Sequence, residues 1–379
     1  MCDILTYMEP VIRTAEGLGA RVAEARELLG VTQASLAEAL GIDRTSVVRL
    51  EAGARKVSAG ELARVAQFLR RPIDWFVFES PPAVVSRRRD SGRLHEAGVD
   101  LDLALDAAAR DVQFLLDRNL LRWPSHDALA VPATHEESEA LAAQVRAELD
   151  VEEGPITDLG GAAAQLGLVW FSLRLGELHD GACVEVDDGE GGRIGVAVIN
   201  GDQDAGRRRW TLGHELGHFL VADAYAGEHP SGEVERFLNS FVAYLLMPRA
   251  GATAIWRERG GDERAAALTL AARYATSWTA ACSHLVNLGF IRRESLEAMK
   301  RAEPTRGDYR LLGEVWDEEL AAPSVPREFG RQVLAAYQSG ALSADRAVEL
   351  LHGTLEAPDL PTPSETSLES LRSSFAPLP

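Results

Sequence analysis

Apolar residues between positions 18 and 78 recur at spacings of three and four residues, the spacing that marks one face of an α-helix. The apolar runs are short, and Gly30, Gly41 and Gly53 interrupt them. Glycine commonly ends a helix because it adopts the left-handed conformation without strain. The pattern therefore predicts a succession of short helices, with a helix-turn-helix pair on either side of Gly41.

A change of composition separates this helical segment from the rest of the chain. Residues 80–134 begin with prolines and a cluster of arginines, which indicate a solvated linker, and continue into an amphipathic helix at about 101–121. The apolar stripe of that helix stops after two heptads, at Asn119. Because a coiled coil generally needs three or four heptads, the stripe favours a helix packed on its own domain over a zipped dimer.

Residues 135–302 mix helical spacing with three strand-like runs. These runs are 166–173, 181–186 and 194–200, and the last alternates branched and small apolar residues. If the last run lies at the edge of a sheet, an extended peptide could add to it as a further strand. A fully paired core strand would show the same pattern, so the sequence leaves both interpretations open.

The end of the chain changes character once more. Residues 303–356 predict a C-terminal helical region, with its main helical piece at about 326–353. Residues 357–379 combine several prolines with serines, so we expect a disordered tail. The expected fold class is mainly α with a small sheet, in which an all-α domain at 18–79 precedes an α+β domain.

Candidate chemistry is concentrated in one helical stretch that contains a His-Glu-Leu-Gly-His sequence. His214 and His218 are four residues apart, so their imidazoles project from one helical face and can share a tetrahedral Zn²⁺. Glu215 cannot easily be a third ligand from its position, but it can take a proton from a water held at the metal. Gly213 and Gly217 each cost about 1 kcal/mol in a helix interior, so their pairing indicates close approach of another element.

A catalytic zinc site of this kind needs a third protein ligand and an open fourth position. Three acids follow the histidines at suitable distances along the chain: Glu228 in a predicted loop, and Glu233 and Glu235 at the start of the next predicted helix. Helical spacing alone does not choose among them.

The sequence VTQASLAEALGIDRTSVVRLEAGARKVS resembles the Cro/repressor-like (XRE) family of helix-turn-helix domains. The resemblance implies a DNA-binding domain over 18–79 whose Asp43–Glu51 helix enters the major groove of a double-stranded DNA operator. The implied contacts are Arg44, Thr45, Ser46 and Arg49 at base edges, Gln33 at the backbone or a base, and Arg55 and Lys56 at phosphates. A helical bundle that binds protein instead is the alternative.

A second resemblance connects the histidine pair to the helix that follows it. The sequences TLGHELGHFL and EVERFLNSFVAYLLMP look like the ImmA/IrrE-type metallopeptidases, and the similarity covers about 135–300. It implies a gluzincin-like peptidase domain at 135–302 with Zn²⁺ as cofactor. The implied third ligand is Glu235, one turn before an asparagine, with Glu233 in reserve. Members of this family, as the resemblance implies, cleave repressor- or antitoxin-like proteins and so relieve repression under stress.

Composition limits where nucleic acid could bind. The 379 residues carry a net charge of −19, which argues against a protein whose whole surface binds nucleic acid. Residues 18–79 contain nine basic and eight acidic residues, so the acidity lies outside this segment. Because so weakly charged a domain makes few phosphate contacts, we expect a homodimer on two half-sites.

Several other classes of protein are disfavoured. No run approaches the 18 or so apolar residues of a membrane span, and Met1 to Pro10 has acids but no basic segment typical of a secretory signal. The three cysteines lie far apart and offer no disulfide framework. We therefore expect a cytoplasmic protein without a membrane partner.

Three functions are compatible with these features. The first is a DNA-binding regulator with an active zinc peptidase, which would use Glu215 to activate water. The second is a transcription factor whose peptidase-like domain is a non-catalytic sensor or scaffold. The third is a toxin–antitoxin component in which the helical piece at 326–353 contacts a partner protein.

Overall fold

In a computed structural model of the chain, the described residues are 15–69, 71, 73–77, 86–87, 97–176, 180–222, 232–313 and 318–363. The chain divides into two compact units. The first unit comprises Met1–Ala83 and Arg89–Arg110, and the second comprises Val84–Arg88 and Asp111–Pro379. Most of the expected linker, and residues 364–379 of the expected tail, lie outside the described residues.

The N-terminal half of the described chain is mostly helical. Its helices are α1 (Ala15–Leu28), α2 (Gln33–Leu40), α3 (Arg44–Glu51), α4 (Ala59–Phe68), α5 (Ile73–Val77), α6 (Ala97–Asp117), α7 (His135–Glu148) and α8 (Leu159–Gln165). Helix α6 begins and ends about four residues earlier than its apolar stripe predicts. Asn119 follows it with a φ of 54°, a left-handed conformation that cannot continue a helix.

The remaining elements lie in the second unit. The strands are β1 (Ser86–Arg87), β2 (Leu168–Leu173), β3 (Gly181–Asp187) and β4 (Arg193–Asn200). The later helices are α9 (Ala205–Leu220), α10 (Gly232–Leu246), α11 (Arg249–Glu258), α12 (Glu263–Arg273), α13 (Trp278–Asn287), α14 (Leu296–Arg301), α15 (Arg306–Leu312), α16 (Arg327–Gln338) and α17 (Ala344–Leu350). The chain is thus mainly α with one small sheet, as the sequence predicts.

Helices α2 and α3 form the predicted helix-turn-helix. Thr32 caps α2 by accepting a hydrogen bond from the Ser35 backbone N–H at 3.1 Å, and Asp43 caps α3 in the same way. Between them Gly41 has a φ of 69°, which glycine adopts without strain. Ala37 and Val47 are buried in the core of the first unit, so the two helices pack closely.

The sheet has the strand order β1-β3-β4-β2. Strand β4 pairs in parallel with β2 along one side and antiparallel with β3 along the other. The run at 194–200 is therefore a fully paired strand, the second of the two interpretations that the sequence leaves open, and a peptide cannot add along it. Helix α9 packs against β3 and β4, and the Arg193 guanidinium donates to the Phe219 carbonyl at 2.6 Å. The sheet thus supports the helix that carries the histidine pair.

The C-terminal region belongs to the second unit. Ser324 forms an isolated antiparallel bridge with Ser172 of β2, and their backbone hydrogen bonds measure 2.9 and 3.1 Å. The helical piece predicted at 326–353 consists of two helices, α16 and α17, and its apolar side is buried. Phe329 of α16, for example, packs edge-on against Phe171 of β2, with ring centroids 5.2 Å apart. That apolar side is therefore already covered within this chain.

Among the described residues, no helix is both long enough and apolar enough to cross a bilayer.

Candidate functional site

The histidine pair lies on α9, where the chain folds as a buried helix. From Thr211 to Leu220 every residue is buried, because the sheet covers one side of the helix and α10 packs along another. His214 and His218 are each only 1% exposed. Their rings meet edge to face with centroids 4.7 Å apart, so the two imidazoles point to a common location.

Three side chains converge at that location. The Nε2 atoms of His214 and His218 are 3.0 Å apart. Glu235 of α10 places one carboxylate oxygen 3.2 Å from His214 Nε2 and the other 3.3 Å from His218 Nε2. Among the described residues, this is the group of His, Cys, Asp and Glu side chains close enough to hold a metal ion.

The separations fit a zinc ion. Zn–N and Zn–O distances of about 2.0–2.1 Å at tetrahedral angles place two ligand atoms about 3.3 Å apart. The separations at His214, His218 and Glu235 lie within a few tenths of an ångström of that value. Two neutral imidazoles and a carboxylate are also donors that zinc prefers. The three residues therefore suit a tetrahedral zinc site with a fourth position for water or substrate.

Two glycines allow α10 to approach α9 closely enough to bring Glu235 to the histidines. A Cβ atom at Gly217 would lie 3.1 Å from the Phe241 ring and 3.3 Å from the Leu238 side chain. A Cβ atom at Gly213 would lie 3.3 Å from Val242. The close approach predicted from the paired glycines is confirmed, and α10 is the approaching element.

On α3, in the first unit, four exposed side chains form a second candidate surface. Arg44, Thr45, Val48 and Arg49 are exposed, while Val47 and Leu50 are buried in the core of that unit. An exposed helix after a tight turn is the arrangement by which helix-turn-helix proteins read the major groove.

Two family models match separate parts of the chain. A model described as "Helix-turn-helix" covers residues 22–76, and one described as "IrrE N-terminal-like domain" covers residues 172–285. The first span contains α3, and the second contains His214, His218 and Glu235. The chain joins an XRE-type helix-turn-helix domain to an IrrE-like domain of the M78 peptidase family.

Curated relatives resemble a limited part of the chain. Over 64 residues it is 33% identical to an uncharacterized HTH-type transcriptional regulator of Sinorhizobium medicae (strain WSM419). It is equally similar to one of Rhizobium meliloti (strain 1021). The match is 17% of this chain and 46% of each relative, so the chain spans about half the length of the curated relatives it matches.

Within the IrrE-like domain, the structure brings Glu235 rather than Glu233 to the histidines. Glu233 has a side chain that is 79% exposed and lies 3.8 Å from Arg236, on the same helix. Glu228 lies outside the described residues. Glu215, the expected general base, is 1% exposed and stands beside His214 on α9.

The ionisation of Glu235 follows from its neighbours. Burial alone would raise its pKa, but hydrogen bonds with His214 and His218 outweigh that effect and hold the pKa far below its usual range. The carboxylate is therefore negatively charged at neutral pH, as a metal ligand must be. Asn239, one turn further along α10, donates its amide to the Glu235 carbonyl at 2.8 Å.

Within the helix-turn-helix domain, the acid of α3 and the acid that caps this helix are held by hydrogen bonds. Arg26 donates to Glu51 at 2.6 Å, and the Gln33 amide donates to the same carboxylate at 2.8 Å. Asp43 caps α3, and its carboxylate accepts hydrogen bonds from the backbone N–H and from the hydroxyl of Ser46, each at 2.8 Å. The exposed side of α3 thus carries positive charge from its arginines.

The structure separates the expected DNA contacts into two groups. Arg44, Thr45, Arg49 and Lys56 are exposed. Gln33, Ser46 and Arg55 are already engaged, and the Arg55 guanidinium lies 2.5 Å from Glu61. Hydrogen bonds from the Ser58 backbone and from Arg55 lower the pKa of Glu61 to about 2, so that ion pair is formed at neutral pH.

Sequence reasoning missed one exposed side chain of α3. Val48 is 42% exposed although it is apolar and adjoins the buried Val47. Helical spacing could have identified it, because Val48 is four residues beyond Arg44 and three beyond Thr45 and shares their face.

Proposed function

We propose that this protein is a DNA-binding transcriptional regulator whose IrrE-like domain is a zinc-dependent peptidase. The observation that supports the peptidase is the convergence of His214, His218 and Glu235 at separations suited to tetrahedral zinc. The substrate we propose is a repressor- or antitoxin-like protein, as the family resemblance implies.

The roles of the residues follow from their chemistry. His214, His218 and Glu235 would hold the zinc ion, which supplies Lewis-acid polarisation of a carbonyl and lowers the pKa of water. Glu215 would accept the proton of the attacking water and pass it to the leaving amine. Burial of Glu215 at 1% exposure keeps bulk water from competing for that proton.

DNA binding would direct the peptidase to its place of action. Arg44 and Arg49 are exposed, and the acids of α3 are engaged elsewhere, so the surface suits a negatively charged major groove. Because the segment 18–79 has nearly balanced charge, we propose that two copies bind an operator together.

The test compares the wild-type chain with Glu215→Gln in the host cell. Zinc is quantified in each purified protein, and the proteome of each strain is compared for a protein that accumulates only in the variant. We expect both proteins to contain zinc and the variant to spare the substrate. Glu233→Gln, which alters an exposed acid two residues from the ligand, is the matched control and should cleave normally.

Two results would contradict the proposal in different ways. Cleavage at the parental rate by Glu215→Gln would exclude this residue as the base. Zinc in both proteins, with no difference in any protein's abundance and unaltered regulation, would favour a non-catalytic sensor or scaffold.

A further inference from the structure

The exposed face of α3 has an apolar centre with a basic residue on each side. Successive residues of an α-helix are about 100° apart around its axis. Around α3 the exposed residues therefore follow one another at about 0°, 40°, 100° and 140°, in the order Arg44, Val48, Thr45, Arg49. Val48 and Thr45 occupy the middle of this arc, and the arginines occupy its ends.

The arginines at the ends of the arc are available to a ligand. Within the part of the chain that the structure describes, neither the Arg44 guanidinium nor the Arg49 guanidinium forms a hydrogen bond or an ion pair. Glu51 is paired with Arg26 and accepts from Gln33, and its side chain is only 9% exposed, so it does not pair with either arginine. Asp43 is exposed, but its carboxylate accepts hydrogen bonds from Ser46. This surface therefore favours a polyanion over an apolar protein partner.

The apolar centre has a specific counterpart in the major groove. Each base pair presents a different pattern there, and the C5-methyl group of thymine is the apolar feature of that pattern. Val48 is 42% exposed, and Thr45 beside it carries a methyl group as well as a hydroxyl. Flanking arginines can each bind guanine through O6 and N7.

We propose that Val48 is a specificity-determining residue that reads the C5-methyl group of a thymine in the operator. Guanines contacted by Arg44 and Arg49 would flank that thymine in each half-site. The inference rests on the proposed DNA-binding function and adds the base that the centre of α3 selects.

The experiment first selects bound sequences from a pool of random duplexes with the full-length chain. Each thymine of the selected duplex is then replaced in turn by uracil, which lacks only the C5-methyl group. For the wild-type chain, we expect one replacement per half-site to weaken binding about fourfold, which corresponds to about 0.8 kcal/mol for one buried methyl-sized group.

The same replacements are measured with Val48→Ala and with a matched control. Val48→Ala should bind the thymine and uracil duplexes equally, because its side chain no longer reaches the methyl group. Ile73→Ala removes a similarly exposed aliphatic side chain, 47% exposed, from α5 of the same unit, and should retain the fourfold difference.

The outcomes separate this inference from the function on which it rests. The role of Val48 is overturned if replacing a thymine by uracil still weakens binding fourfold in Val48→Ala. It is also overturned if no such replacement weakens binding of the wild-type chain to a selected sequence. DNA binding stands in both cases. If the chain selects no sequence and binds no duplex in a salt-dependent way, the proposed DNA binding itself fails, and the role of Val48 fails with it.

Discussion

The guanidinium of Arg209 is paired with the carboxylate of Glu319, across a long separation in the chain. Arg209 lies on α9, five residues before His214, and its side chain is 2% exposed. Burial lowers its pKa to about 10. The second Glu319 oxygen accepts from the Leu159 backbone N–H at 3.1 Å. The segment that contains Glu319 therefore supports the metal-binding helix, although it lies outside the span matched by the IrrE-like family model.

Replacement of Glu319 by alanine should destabilise the second unit by about 3 kcal/mol, because it removes the carboxylate partner of a buried arginine. Urea unfolding followed by circular dichroism measures the change. Glu318→Ala is the matched control. That carboxylate is 74% exposed, and its partner Arg208 keeps hydrogen bonds to the carbonyls of Gln203 and Glu319, so the change should cost less than about 1 kcal/mol. Equal losses from both substitutions would show that burial of Arg209 does not control the stability of α9.

Local patterns predict the metal-binding helix and the strands well, because they depend on short-range periodicity. The spacing of His214 and His218 places both on one helical face, and the glycines predict the contact with α10 that the structure has. Choosing Glu235 over Glu233 from residue chemistry alone is not possible. Those acids are about 200° apart around their helix, and only tertiary packing decides which faces α9.

The features that sequence could not provide are those that depend on distant partners. A run such as 194–200 has the same pattern at an edge as in the middle of a sheet, and β2 and β3 decide the outcome. The ion pair of Arg209 and Glu319 leaves no periodic signal. Ser46 and Gln33 are polar in the sequence, but their bonds to Asp43 and Glu51 appear only in the fold.

Zinc binding should depend on Glu235 and not on Glu233. Glu235→Gln removes a charged ligand from between the two imidazoles, so we expect zinc affinity to fall more than about 100-fold, beyond the usual effect of outer-shell changes. Competition with a chromophoric chelator measures the affinity. Glu233→Gln should bind zinc as the wild type does, and the reverse ranking would assign the third ligand to Glu233.

Stability should fall in mild acid because of His284. This imidazole is 1% exposed, and burial lowers its pKa to about 4 in the folded protein, below the unfolded value near 6.5. Between pH 4 and pH 6.5 the His284 imidazole is protonated in the unfolded state but neutral in the folded state. The contribution of His284 to stability is therefore complete above pH 6.5 and is lost as pH falls towards 4. The loss amounts to about 3 kcal/mol by pH 4.

A comparison with His284→Phe isolates that contribution from the titration of other groups. Phenylalanine retains a ring against Tyr244, whose centroid lies 5.1 Å from the imidazole, but it cannot take up a proton. Unfolding free energies from pH 4 to 7.5 should rise less steeply for the variant. Parallel curves would exclude His284 as a source of acid sensitivity.

Arg44 and Lys56 should contribute differently to DNA binding, because Arg44 lies on the exposed face of α3 and Lys56 follows that helix in the chain. Arg44→Ala should weaken binding to a selected sequence by about 1–3 kcal/mol and relax its base preference, since a bidentate guanine contact is lost. Lys56→Ala should weaken binding to all duplexes alike and reduce the slope of log affinity against log salt by about 1, because it removes one phosphate contact. Fluorescence anisotropy at several salt concentrations measures both quantities. If Arg44→Ala instead lowered the salt slope without altering base preference, its guanidinium would be assigned to the phosphate backbone, and α3 would have to read the groove through Thr45, Val48 and Arg49.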